Sequence, residues 1–66
     1  MLKIVTSTND SLNGVVLQKK NLNEGDVIRI KTPDGRRKIF KIEFVKKTKD
    51  GYTIKDSNTT LILKNE

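Results

Sequence analysis

The stretch Val27-Ile28-Arg29-Ile30-Lys31-Thr32-Pro33-Asp34-Gly35-Arg36-Arg37-Lys38-Ile39-Phe40-Lys41-Ile42 decides how this chain folds. On either side of Pro33-Asp34-Gly35, apolar residues recur at every second position, the mark of a half-buried strand. Pro33 accepts the right-handed region, Asp34 can bond the backbone ahead of it, and Gly35 tolerates positive φ. Together they spell a three-residue hairpin loop closed by a glycine bulge. Such a loop pairs Thr32 with Arg36 and puts Ile28, Ile30, Phe40 and Ile42 on one face. Lys49-Asp50-Gly51 has the same form, so it is expected to pair Thr48 with Tyr52 and to add Phe44, Tyr52 and Ile54 to that apolar face. A two-residue loop at Asp50-Gly51 would set Ile54 beside Lys47 and Lys46 beside Lys55, burying charge or opposing like charges.

The opposite face follows by alternation: Val27, Arg29, Lys31, Arg37, Ile39, Lys41, Glu43, Val45, Lys47, Thr53 and Lys55. It is basic, with a few apolar residues set in it. Residues 29–49 hold nine of the fourteen basic residues and only two acids, Asp34 and Glu43, a local charge of +7 in a chain of net charge +6. Charge confined to one region, with the acids pushed into turns, points to a surface kept positive for a polyanion; solubility alone would spread it more evenly. Lys31 falls across from Arg37, and like charges opposed on a sheet cost stability. Phosphates would supply the missing counter-charge.

Outward from this segment, turn clusters at Ser7 to Ser11, Asn21 to Gly25, Lys49 to Gly51 and Asp56 to Asn58 separate short runs rich in Ile, Val, Leu, Thr and Phe. They predict strands over about 2–6, 12–18, 26–32, 36–48, 51–55 and 59–64, with room for one helical turn in 19–24. The chain contains no Ala to favour a longer helix. The run 36–48 is long for a strand and is expected to bend sharply. Five or six short strands around such a bend predict an all-β, antiparallel barrel of the SH3-like type, with the OB type as the alternative.

Sixty-six residues make a single domain, 1–66, with a core only just large enough to fold alone. The chain has no Cys and no His, which excludes a disulfide framework and a thiolate- or imidazole-ligated zinc site. No metal and no cofactor are expected. Met1 to Val5, interrupted by Lys3, reads as neither a signal peptide nor a span, so the expectation is a soluble cytoplasmic protein with no membrane partner.

Two segments resemble known families. Glu24-Gly25-Asp26-Val27-Ile28-Arg29-Ile30 resembles the Gly-Asp opening of a barrel strand in SH3-like domains of translation and transcription proteins, including those with the KOW motif. Val27 to Arg36 is similar to the basic first hairpin of the small crenarchaeal chromatin proteins, SH3-like barrels that bind duplex DNA through a sheet face without sequence preference. That resemblance implies a mode of binding. It carries over no wedge residue, since the chain has no Trp and its later strands share no motif with that family.

Catalysis has little to stand on. A nucleophile would have to be Ser, Thr or Lys, and most of the acids lie in turns, where they close loops. Asp56-Ser57-Asn58 lacks the alternating ligands and terminal Glu of a calcium loop. The expected function is binding of nucleic acid, duplex DNA favoured and RNA admitted, by Arg29, Lys31, Arg37, Lys41 and Lys47, with Arg36 and Lys38 near the turn. Tyr52, near a rim, is the one aromatic expected within reach of a base, because Phe40 and Phe44 are assigned to the core. The alternative is a module that docks on an acidic protein surface, such as a mobile-element accessory factor or an inhibitor. Leu61-Ile62-Leu63 would be the edge through which it pairs, unless Leu61 and Leu63 finish the core.

Overall fold

A computed structural model describes residues 1–17 and 21–66. Its strands are β1 (Leu2–Ser7), β2 (Val15–Val16), β3 (Val27–Lys31), β4 (Arg37–Lys41), β5 (Phe44–Lys47), β6 (Gly51–Lys55) and β7 (Thr60–Asn65). All pairings are antiparallel, and the strands form one seven-stranded sheet in the order β4-β3-β2-β1-β7-β6-β5. No helix occurs among the described residues.

The expected long strand is divided in two. Up to Ile42 its ladder runs along β3, where the Ile42 N–H donates to the Asp26 carbonyl at 2.8 Å and the Gly25 N–H donates to the Ile42 carbonyl at 2.7 Å. One residue later the partner has changed, and the Glu43 N–H donates to the Lys55 carbonyl at 2.8 Å. β4 and β5 therefore stand at opposite ends of the sheet while lying only two residues apart in the chain. The sheet must curve enough for the chain to cross from one edge to the other through this corner.

The concave side is the core. Leu2 and Ile4 of β1, Val16 of β2, Ile28 and Ile30 of β3, Phe40 of β4, Ile54 of β6 and Leu61 and Leu63 of β7 are all buried, with Ile42 at the corner and Leu22 from the loop before β3. Even-numbered positions fill it from β3 and β4, as the alternation requires. Leu61 and Leu63 complete the core, and β7 lies between β1 and β6. Leu61-Ile62-Leu63 is thus not an edge; the edges are β4 and β5.

The second strand is shorter than the expected 12–18. A turn held by Asn9 reaches its first residue: the Asn9 side-chain carbonyl oxygen accepts from the Ser11 N–H at 3.0 Å and from the Ser11 hydroxyl at 2.7 Å, and the Leu12 N–H donates to the Asn9 main-chain carbonyl at 2.9 Å. Gln18, at the end of that expected strand, and residues 19 and 20 of the expected helical turn fall outside the described residues. Asn21 to Glu24 form a loop, not a helix.

The first hairpin has the expected register. The Thr32 N–H donates to the Arg36 carbonyl at 2.9 Å, Lys31 lies opposite Arg37, and Gly35 takes a φ of +87°. The second does not. Thr48 pairs with Gly51, through an N–H to carbonyl bond of 2.9 Å, so the loop is the two residues Lys49 and Asp50 and Tyr52 lies opposite Lys47. This one-residue shift turns β5 over. Val45, expected outside, packs against the core opposite Ile54, and Phe44, expected inside, is 46% exposed. The corner permits it, because Glu43 and Phe44 both face outward in succession.

Candidate nucleic-acid interface

The outer face of β2, β3 and β4 can be read as rows across the sheet. Val15, Lys31 and Arg37 form the first, Leu17, Arg29 and Ile39 the second, and Val27 and Lys41 the third. β3 and β4 together contain five basic residues and no acid. Four of the five, Arg29, Lys31, Arg37 and Lys41, are exposed on this face. None of the four forms an ion pair among the described residues.

The ladder brings these side chains close. Thr32 and Arg36 form a hydrogen-bonded pair, so by alternation Lys31 and Arg37, Arg29 and Ile39, and Val27 and Lys41 occupy the non-hydrogen-bonded positions, where opposed side chains approach most closely. Lys31 and Arg37 are therefore like charges at short range. Ile39, 72% exposed, and Val27, 54% exposed, lie between the cations. Leu17, Val27, Arg29 and Arg37 line a shallow depression on this face.

The remaining expected site residues lie elsewhere. Arg36 sits at the hairpin tip with its guanidinium Nε 3.4 Å from the Asp34 carboxylate. Lys38 has inward parity, is half-buried, and donates from its ammonium to the Ser11 carbonyl at 2.9 Å. Lys47 is on β5, on the side of that strand that carries Val45, because of the register shift. Tyr52 is packed against the core, and its hydroxyl donates to the Asn21 side-chain oxygen at 3.2 Å. The face therefore gathers four of the eight residues, with Arg36 and Lys38 at its tip and Lys47 and Tyr52 on other strands. The Asp34 carboxyl is held below the ordinary aspartate value, first by the Thr32 hydroxyl and then by the Arg36 N–H. Asp34 thus remains an anion that neutralises Arg36 rather than the face.

Comparison with known proteins finds no matching family model, no similar curated protein and no similar solved structure.

Sequence reasoning missed the ring that is in fact displayed. Phe44 lies on the outer side of β5, with the Lys55 ammonium 5.5 Å from its ring centroid, a cation-π arrangement. A signal for it existed: a loop of Lys49-Asp50 places Val45 opposite Ile54 and opposes no like charges. What concealed that register was the likeness of Lys49-Asp50-Gly51 to Pro33-Asp34-Gly35, which assigned Gly51 to the loop.

Asp56, the residue weighed as a metal ligand, uses its carboxylate to close its own turn. It accepts from the Asn58 N–H at 2.8 Å and the Thr59 N–H at 2.6 Å.

Proposed function

We propose that this protein is a small, non-enzymatic, cytoplasmic nucleic-acid-binding protein that lays the outer face of β3 and β4 against a phosphate backbone, duplex DNA above all, with little sequence preference. The observation that carries this reading is the gathering of Arg29, Lys31, Arg37 and Lys41 on one acid-free sheet face. Opposing Lys31 to Arg37 costs stability in the free protein, and a polyphosphate removes that cost by placing negative charge between them. Such contacts position the protein without reading bases. The supporting architecture is read as an SH3-like barrel left open between β4 and β5, in keeping with the resemblance of the first hairpin to that of small chromatin proteins.

The aromatic residues favour a duplex over a single strand. Single-strand binders stack successive bases on several rings. Here Phe40 is buried, Tyr52 is packed and hydrogen-bonded, and Phe44 stands on a different strand pair from the cationic face.

Titration of mixed-sequence duplex DNA at several salt concentrations tests the proposal. Four phosphate contacts give a slope of log affinity against log salt of about −3.6, at about −0.9 per contact. The double substitution Arg29→Gln and Lys41→Gln is expected to flatten that slope by about 1.8 and to weaken all sequences alike. Absence of binding at low salt, or an unchanged slope in a folded double variant, would overturn the reading. A structured RNA of equal length, titrated alongside, decides which polyphosphate is preferred.

A further inference from the structure

The ladder that sets the cationic face also fixes what the β4 edge offers. In an antiparallel pair, residues at non-hydrogen-bonded positions point their N–H and C=O groups away from the partner strand. On β4 these are Arg37, Ile39 and Lys41, since Thr32 pairs by hydrogen bonds with Arg36 and Asp26 with Ile42. Because β4 ends the sheet, three backbone donors and three acceptors face a side on which, among the described residues, no strand lies. β5, the other edge, is shorter and has only two residues at the same kind of position, Val45 and Lys47.

Proteins blunt such edges with charge. Arg37 and Lys41 do so against a second copy of this chain: two β4 strands paired antiparallel about Ile39 would oppose Arg37 to Lys41 at both ends, a doubly repulsive arrangement. The same two cations favour a strand that carries acids in their place. Between them stands Ile39, the most exposed large apolar residue of the chain's described part. An apolar side chain on an added strand would cover it.

We infer that the open edge of β4 receives an acidic extended segment of a partner protein as an added strand, with an apolar residue opposite Ile39 and carboxylates two residues to either side, opposite Arg37 and Lys41. Backbone groups of Arg37, Ile39 and Lys41 supply the hydrogen bonds, and side-chain charge supplies the selection. This goes beyond the phosphate-binding reading and does not depend on it. Phosphates meet side chains on the face, whereas an added strand meets main chain at the edge.

The probe is a capped heptapeptide with Glu at its second and sixth positions, Val at its fourth and Thr elsewhere. Amide hydrogen exchange in the full chain, with and without the peptide, is expected to slow at least tenfold at Arg37, Ile39 and Lys41. The substitution Ile39→Pro removes the central edge donor without changing any charge, and proline is tolerated where the N–H faces away from the sheet. It is expected to weaken the peptide at least tenfold. Ile39→Thr, which keeps the N–H, retains the protection. Should Ile39→Pro not fold, a peptide N-methylated at alternate residues on its pairing side replaces it against the unaltered protein and is expected to lose binding by the same factor. Peptide binding without protection of the three amides, or undiminished by N-methylation, would show that charge alone docks it and would overturn the inference. So would failure of the peptide to bind at millimolar concentration, or protection of the same amides by duplex DNA in its stead. Failure of DNA to bind would leave the inference intact.

Discussion

The turn between β3 and β4 and the turn between β5 and β6 both contain Asp-Gly, yet they use their glycines in different ways. Gly35 sits in the left-handed region, at φ +87°, with open space where a Cβ would go. Its conformation closes the loop. Gly51 has no positive φ and belongs to β6, where it is buried against β7. A Cβ there would lie 2.8 Å from the Leu63 carbonyl carbon and closer still to its oxygen. Space, not torsion, is what this glycine provides. Since only the first use adds a residue to the loop, the two hairpins differ in register by one, and every side chain of β5 changes face as a result.

The largest expected effect compares the two phenylalanines that this difference separates. Phe40→Ala empties a fully enclosed site and is expected to cost about 3–5 kcal/mol, enough to unfold most molecules of so small a domain at 25 °C. Phe44→Ala, at a half-exposed site, is expected to cost less than about 1 kcal/mol. Urea unfolding followed by circular dichroism measures both. Equal losses would mean that Phe44 is part of the core and that the second hairpin has the longer loop after all.

The glycines come next. Gly51→Ala forces β6 away from the β7 backbone, and a loss of about 2–3 kcal/mol is expected from overpacking against atoms that cannot rotate aside. Gly35→Ala meets no atom and pays only for a left-handed alanine, about 1–2 kcal/mol. Replacing Gly35 by Asn, which tolerates that region better, is expected to recover part of the loss, whereas Gly51→Asn is expected to be worse than Gly51→Ala. The opposite ranking in urea midpoints would show that the two turns are built alike.

These two glycines also show how far the residues alone could be read. Period-two alternation around Pro33-Asp34-Gly35 was sufficient for β3 and β4, because burial and turn chemistry there select the same register. Apart from the second strand, and from the run 36–48, which is the two strands β4 and β5 and not one, the strand positions were legible within a residue or two, and so were the four cations that share the outer face. At Gly51 the deciding atom is the Leu63 carbonyl, twelve residues away in sequence and brought near only by the β6–β7 pairing. No local pattern encodes that contact. Arg36 and Lys38 lie near the turn, as expected, but their partners there, the Asp34 carboxylate and the Ser11 carbonyl, were not foreseen. Lys38 is held by a loop that precedes it by 27 residues.

The smallest effect separates the two aspartates. Asp34 acts through its carboxylate, which accepts from the Thr32 hydroxyl and from the Arg36 N–H at 3.3 Å. Asp50 acts through its main chain, its carbonyl accepting from the Asn65 N–H at 2.7 Å. Because the folded state lowers the pKa of Asp34 below its ordinary value of 3.8, its ionised form stabilises the hairpin at neutral pH. That contribution is complete above pH 3.8 and disappears as the pH falls through the lowered value. Exposure to solvent keeps it small. Asp34→Asn is therefore expected to lower the urea midpoint slightly at pH 7 and by less at pH 2, so that the difference between the two proteins narrows with acid. Asp50→Asn retains the carbonyl that bonds β7 and is expected to leave that bond, read by exchange of the Asn65 amide, unchanged at either pH. A gap between Asp34→Asn and the unaltered protein that widened towards pH 2 would mean that the Thr32 hydroxyl bonds the neutral carboxyl in preference to the anion, and the Asp34 turn would then owe its closure to Gly35 alone.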